Sequence, residues 1–198
     1  MISTSQFEKK VIAEKARSIN AGRILEIGVF KGQTTAVLGQ IAAENRGYVI
    51  AVDPMKWASK PASLGEYFDA LFHPFSYEGA FWKNVKRVKN ASVILRRNLS
   101  TDAELLDDPS DQLRDFDLAF IDGEHTYEGA VRDLRNWGSR VRPGGLILMH
   151  DVRDRFPGVM KAFEEFSKLP FLRAHWPKRG SVGVFEVIER LPAYKLDS

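Results

Sequence analysis

The stretch Phe120–Val152, FIDGEHTYEGAVRDLRNWGSRVRPGGLILMHDV, decides the fold. Two apolar runs, each closing on an acid-containing cluster, flank a helix-like segment and a Pro-Gly-Gly turn, the pattern of strand, helix and strand. Each strand then carries a carboxylate at its carboxyl end, Asp122 on one and Asp151 on the other. In an open α/β sheet ligands bind outside that edge, so the two acids are expected side by side and the unit reads as half of a site. The other half requires an earlier strand with a glycine-rich turn. Arg23–Ile27 supplies the strand and Gly28-Val29-Phe30-Lys31-Gly32-Gln33-Thr34-Thr35 the turn.

Around these two units the chain alternates strands with helices. Ser5 with Glu8 is a capping-box pattern, and Phe7, Val11, Ile12, Ala16 and Ile19 follow helical spacing as far as Asn20-Ala21-Gly22. The glycine turn leads into a helix reaching about Asn45, and a second strand, 48–52, stops at Asp53-Pro54. From Met55 the aromatic and proline spacing loses periodicity, so 55–90 reads as a partly helical insertion and candidate lid, with helix over 76–88. Strands are expected at 93–96, 116–121 and 146–149. Helices are expected at 101–106, at 127–141 (stopped by Arg142-Pro143-Gly144-Gly145) and at 159–166. Segments 171–176 and 182–187 around a turn at Pro177–Gly180 close the chain as an antiparallel hairpin. The fold expected is a three-layer α/β sandwich with a mostly parallel, doubly wound sheet of about seven strands, formed by one domain over residues 1–198.

Composition narrows the chemistry. The 198 residues contain no cysteine, which excludes disulfides, thiolate metal sites and cysteine nucleophiles, and fits a reducing compartment. The apolar runs are strand-sized, short of the roughly 20 residues a membrane helix needs, so a cytoplasmic protein is expected. Net charge is only +3. The basic cluster Lys83-Asn84-Val85-Lys86-Arg87-Val88-Lys89 is most simply a solvated helix face, which disfavours nucleic acid as a partner.

The glycine turn lacks one glycine of the G-x-G-x-x-G dinucleotide pattern, and Phe30 there opposes close approach of a pyrophosphate. Glu26 brings negative charge where a phosphate would otherwise sit, while Asp53, at the tip of the second strand, is placed for ribose hydroxyls. S-adenosylmethionine, with an adenosine, no phosphate and two positive centres, suits that combination. An ordinary β-turn-α with acids by chance is the alternative.

Taken together, LEIGVFKGQTT, VIAVDP, FIDGEHTYEGAVRDLRNW and RPGGLILMHD resemble motifs of the class I S-adenosylmethionine-dependent methyltransferases over about residues 20–155. The nearest subgroup is similar to catechol O-methyltransferase and to enzymes that methylate macrolide sugars. The resemblance implies that Glu26, Gly28, Phe30, Gly32 and Thr34 line the methionine end of the cofactor, that Asp53 holds the ribose and that Ser100 lies near the adenine. It further implies a divalent cation, Mg²⁺ or Mn²⁺, held at Asp122, His150 and Asp151, with His125 as catalytic base beside Asp122. His150 is a departure, since an acid is usual there. An imidazole shifts preference toward Mn²⁺, Fe²⁺, Co²⁺ or Zn²⁺, or else it lies behind the ligands or simply packs. For His125 the alternative is capping of the following helix or covering the cofactor.

The activity expected is metal-assisted O-methylation of a small hydroxylated acceptor, with the aromatic insertion shaping the acceptor pocket and making a homodimer a candidate. A nicotinamide-dependent oxidoreductase, disfavoured by the absent glycine, and a noncatalytic cofactor-binding or partner-binding module are the other readings. Tyr127, Asp133 and Trp137 read as packing and surface residues, and His73 and His175 as structural.

Overall fold

The computed structural model describes residues 4–56, 77–90 and 92–192. The expected lid at 55–90 therefore lies largely outside the described residues. The elements in chain order are α1 (Gln6–Ser18), β1 (Arg23–Ile27), α2 (Gln33–Glu44), β2 (Tyr48–Val52), α3 (Glu78–Val85), β3 (Val93–Arg96), α4 (Ala103–Leu106), β4 (Phe116–Ile121), α5 (Tyr127–Gly138), β5 (Val141–Met149), α6 (Pro157–Phe166), β6 (Leu172–His175) and β7 (Gly183–Val187).

The strands form one seven-stranded sheet in the order β3-β2-β1-β4-β5-β7-β6. The pairs from β3 through β5 are parallel, and β7 runs antiparallel to both β5 and β6. Strands β1 and β4 are neighbours although the chain travels out to β3 between them, which creates the topological switch point where such sheets bind ligands.

Alternation along the strands separates the two faces. Leu25, Ile27, Ile50, Val52, Ala119, Ile121, Ile147 and Met149 pack with Leu134 and Trp137 of α5 and with Ala162 and Phe163 of α6. Ile24, Val49, Leu118, Phe120, Leu146 and Leu148 pack with Ile12 and Ala16 of α1 and with Leu38 and Ile41 of α2. A smaller cluster of Val29, Met55, Tyr77, Phe81 and Val85 sits under α3. Helices thus cover both faces, giving the expected sandwich.

Register sets the site. Ile27 pairs with Val52 on one side and with Ile121 on the other, and Ile121 pairs with Met149. The next residue of each strand is therefore Gly28, Asp53, Asp122 or His150, and all four fall on one sheet edge.

Two boundaries flanking the Pro-Gly-Gly turn differ from expectation. Helix α5 ends at Gly138, and β5 begins at Val141 rather than after the glycine pair. Buried Val141 already pairs with Phe116, and the register then shifts so that Leu118 opposes Leu146. Arg142–Gly145 is absorbed as an irregularity within the strand. Gly144 takes a left-handed φ of 77° there, and a Cβ on Gly145 would stand 2.7 Å from the Asp117 carbonyl oxygen.

Candidate functional site

The glycine turn is held from two sides. Gly28 has φ 79°, and a Cβ on it would stand 2.1 Å from the Asp122 carbonyl oxygen, so only glycine lets β1 approach the end of β4 this closely. Gly32 (φ 73°) turns into α2, and a Cβ there would meet the Phe81 ring at 2.6 Å. Phe30, left-handed at φ 45°, sets its ring edge-on to Tyr77 at 5.1 Å. Within β1, Glu26 is buried and its Oε2 has no hydrogen-bond partner. Burial pushes its pKa well above the ordinary carboxylate range; the Thr35 hydroxyl opposes this, and the charges of Asp122 and Asp53 add to it. A buried carboxylate oxygen left unpaired is costly, and it suits a cationic ligand group at the turn. Thr34, also expected to line the methionine end, is buried and bonds Thr4 at 3.2 Å between hydroxyls.

Asp53 is more engaged than the sequence suggests. Its Oδ2 accepts from the Val29 and Phe30 backbone N–H groups at 3.0 and 3.1 Å, and its Oδ1 accepts from Met55 N at 2.7 Å and from the Tyr77 hydroxyl at 2.5 Å. The carboxylate expected to take ribose hydroxyls thus pins the glycine turn, with the Tyr77 hydroxyl already donating to it. Burial, with the charge of and hydrogen bonding to Asp53 added, raises the Tyr77 pKa.

Ser100, on the loop after β3, bonds the buried Asp133 of α5 (Oγ to Oδ1, 2.5 Å), and its carbonyl accepts from Trp137 Nε1 at 3.1 Å. Asp133 is therefore not a surface residue. Burial raises its pKa to about 6 against the Ser100 hydrogen bond. Its position between Ala130 and Trp137 on the apolar stripe of α5 was the available signal.

At the ends of β4 and β5, Asp122, His125 and Asp151 offer one ligand atom each, all within 4.8 Å of one another. His125 Nε2 stands 3.0 Å from Asp151 Oδ2 and 3.8 Å from Asp122 Oδ1 without hydrogen-bond alignment to either. The two carboxylates raise the imidazole pKa to about 9, against partial burial. Its ring stacks on Phe156 at 4.7 Å. Thr126, not His125, caps α5, its hydroxyl accepting from Gly129 N at 3.1 Å. Asp151 holds a left-handed φ of 59°, a strained conformation of the sort found at functional sites. Its Oδ1 accepts from Arg153 Nη2 at 2.7 Å. Burial alone would raise its pKa, but His125, His150 and Arg153 hold it below the ordinary carboxylate range.

His150, expected among the cation ligands, lies on the inner side of this group. Its Nδ1 is 3.0 Å from Asp122 Oδ1 and 3.5 Å from Asp151 Oδ2, while its Nε2 turns toward Glu8 of α1, 3.5 Å away. Burial opposes its protonation, yet Asp122, Asp151 and Glu8 outweigh it and raise the pKa to about 8. The sequence marks Glu8 only as the second member of a capping box. His175 pairs on the surface with Glu186 at 2.8 Å, and His73 lies outside the described residues.

No helix among the described residues is long and apolar enough to cross a membrane. Several solved structures share the fold. The O-methyltransferase TomG of Streptomyces achromogenes, in complex with S-adenosylmethionine, is 16% identical, with 94% of this chain and 82% of that chain covered at a TM-score of 0.68. The O-methyltransferase of Bacillus cereus, in complex with S-adenosylhomocysteine, is 18% identical, with 94% and 83% covered at 0.67. PaMTH1 of Podospora anserina, a methyltransferase bound to S-adenosylhomocysteine, is 15% identical, with 94% and 80% covered at 0.62. The methyltransferase domain family matches residues 25–152, from the second residue after the start of β1 to just past Asp151. That span covers well over half of the chain and both halves of the site, and the protein belongs to the methyltransferase domain family.

Proposed function

We propose that the protein is an S-adenosylmethionine-dependent O-methyltransferase acting with a divalent cation on a small hydroxylated acceptor. The observation that carries this reading is the juxtaposition, through the Gly28–Asp122 contact, of a phosphate-hostile glycine turn with the Asp122, His125 and Asp151 group. The unpartnered Glu26 Oε2 fits the ammonium of a methionine moiety better than any phosphate oxygen. Gly28, Phe30, Gly32 and Thr34 complete the turn around it, and Ser100 serves the adenine end. Asp53 serves the ribose by sharing or exchanging the Tyr77 hydroxyl.

The carboxylate donors of Asp122 and Asp151 suit Mg²⁺ or Mn²⁺. A cation bound there supplies Lewis acidity that lowers the pKa of an acceptor hydroxyl. Asp122 and Asp151 hold the charge in place, and His125 Nε2, which faces both, receives the hydroxyl proton. Phe156 keeps the imidazole plane fixed through the ring stack. The bond broken is sulfonium carbon to sulfur and the bond formed is carbon to acceptor oxygen, so the chain's main contribution is positioning.

Calorimetry with S-adenosylmethionine and S-adenosylhomocysteine tests the donor assignment, and binding of neither overturns it. The cation assignment fails separately when Asp122→Asn leaves cofactor-dependent methylation unchanged and insensitive to chelator. As part of the same reading we assign the protein to the cytoplasm, as one domain over residues 1–198 that pairs as a homodimer. Fractionation and light scattering check the location and the dimer.

A further inference from the structure

Glu8 serves two elements with one side chain. Its Oε2 completes the capping box of α1, accepting from Ser5 N at 2.9 Å and from the Ser5 hydroxyl at 2.7 Å. Its Oε1 accepts from Ser181 N at 2.9 Å and from the Ser181 hydroxyl at 2.6 Å. Ser181 in turn accepts through its carbonyl from Val152 N at 2.9 Å, next to Asp151. Capping boxes ordinarily sit at the surface, where a carboxylate stays hydrated, whereas Glu8 is only 6% exposed and His150 only 3%. Burying a carboxylate is costly unless it is paired, so capping alone does not account for the arrangement. What it adds is contact: Glu8 Oε2 faces His150 Nε2 at 3.5 Å, and His150 Nδ1 stands 3.0 Å from Asp122 Oδ1, the oxygen that also faces His125 Nε2 at 3.8 Å.

We infer that Glu8 and His150 are positioning residues, in which Glu8 holds the His150 ring and His150 fixes the Asp122 oxygen that faces His125, so that docking of α1 sets the geometry of the reacting edge. The inference rests on the reading of Asp122, His125 and Asp151 as that edge. His150 is set between two carboxylates, hydrogen-bonded at Nδ1 to Asp122 and facing Glu8 across 3.5 Å at Nε2 without a hydrogen bond, and partners at this remove from a metal ligand tune its affinity by orienting it.

Four variants of the full chain test it. His150→Phe removes both ring-nitrogen contacts. His150→Asn keeps an amide group able to reach Asp122 but not Glu8. Glu8→Gln keeps the shape and removes the charge facing Nε2, and Ser5→Ala weakens the α1 cap while leaving Glu8 and His150 in place. The readouts are Mn²⁺ affinity, S-adenosylhomocysteine affinity, the thermal midpoint, and the His125 imidazole resonances at one fixed pH. Mn²⁺ affinity is expected to fall roughly 10- to 100-fold in His150→Phe, to fall less in Glu8→Gln and to recover in His150→Asn relative to His150→Phe. The His125 resonances move in His150→Phe and Glu8→Gln and stay in Ser5→Ala, which lowers only the midpoint. S-adenosylhomocysteine affinity stays at the wild-type value throughout.

Wild-type Mn²⁺ affinity together with unmoved His125 resonances in His150→Phe and Glu8→Gln overturns the inference, whatever happens to the midpoint. When the wild-type protein binds no Mn²⁺, the cation part of the proposed function falls and the His125 resonances alone decide: movement supports positioning and constancy overturns it. When His150→Phe does not fold, Glu8→Gln decides on the same readouts.

Discussion

His125 Nε2 lies 3.0 Å from Asp151 Oδ2, and that distance joins the base assigned to the reaction to the buried acid at the end of β5. With Asp122 added, the two carboxylates raise the imidazole pKa from 6.5 to about 9. In the cation-free protein the ring is therefore protonated at neutral pH, whereas a base must be neutral. A cation held by the same acids opposes the proton and moves its loss to lower pH.

Methyl transfer is accordingly expected to rise with pH as His125 loses its proton, with the midpoint lower when Mn²⁺ is present. His125→Gln should lower turnover by about 10²–10⁴-fold and remove that limb, while binding of S-adenosylhomocysteine is retained. A pH–rate profile of wild type and variant checks both. The stability linkage has a definite sign. The folded-state pKa is raised, so the contribution from His125 is complete below pH 6.5 and is lost as pH climbs through about 9.

Glu26→Gln separates binding from stability. Burial disfavours the charge on Glu26, so the amide should leave the thermal midpoint unchanged or raise it. The same change replaces the anionic acceptor for a ligand ammonium with a neutral amide oxygen. Loss of a charge-assisted hydrogen bond of about 1.5–3 kcal/mol corresponds to roughly 10- to 150-fold weaker S-adenosylhomocysteine binding. Calorimetry and a melting curve on the same preparation decide it.

Asp133 provides a stability measurement in the acid range. Burial raises it from 3.8 to about 6, so the folded state favours the protonated form. Its stabilising contribution is complete below pH 3.8 and lost as pH rises through 6. Asp133→Asn retains an acceptor for the Ser100 hydroxyl and does not titrate. Wild type should therefore lose stability relative to the variant between about pH 4 and pH 7, by up to roughly 3 kcal/mol. Denaturant midpoints across that interval show the trend or refute it.

Gly28→Ala meets two obstacles at once: a φ of 79° and a Cβ 2.1 Å from the Asp122 carbonyl oxygen, a backbone atom that cannot swing aside. Left-handed strain alone costs about 1–3 kcal/mol, and the clash adds to it. A clear drop in thermal midpoint is expected, with weakening of both S-adenosylhomocysteine and Mn²⁺ binding, because the two halves of the site share that contact.

The parts of the molecule legible in the sequence are those decided locally. Strands β1, β2 and β4 are short buried runs bounded by glycine, proline and acids, so their ends coincide with their patterns. The end of α5 was not legible, because Val141 continues the apolar spacing of the helix and only pairing with Phe116 makes it strand. Asp122 and Asp151 could be placed together from topology alone. The direction of the His150 imidazole could not, since it faces Glu8, on another element and far away in sequence. Asp53 likewise looked like a free carboxylate because the donors that engage it include Tyr77, 24 positions away and within the insertion.

The close approach of Gly28 to the Asp122 carbonyl works as a fixed ruler. Donor pocket and acid group are measured off from backbone to backbone, with no side chain whose rotamer could alter the spacing. Substitutions of side chains on either half therefore leave the spacing between the glycine turn and the acid group untouched.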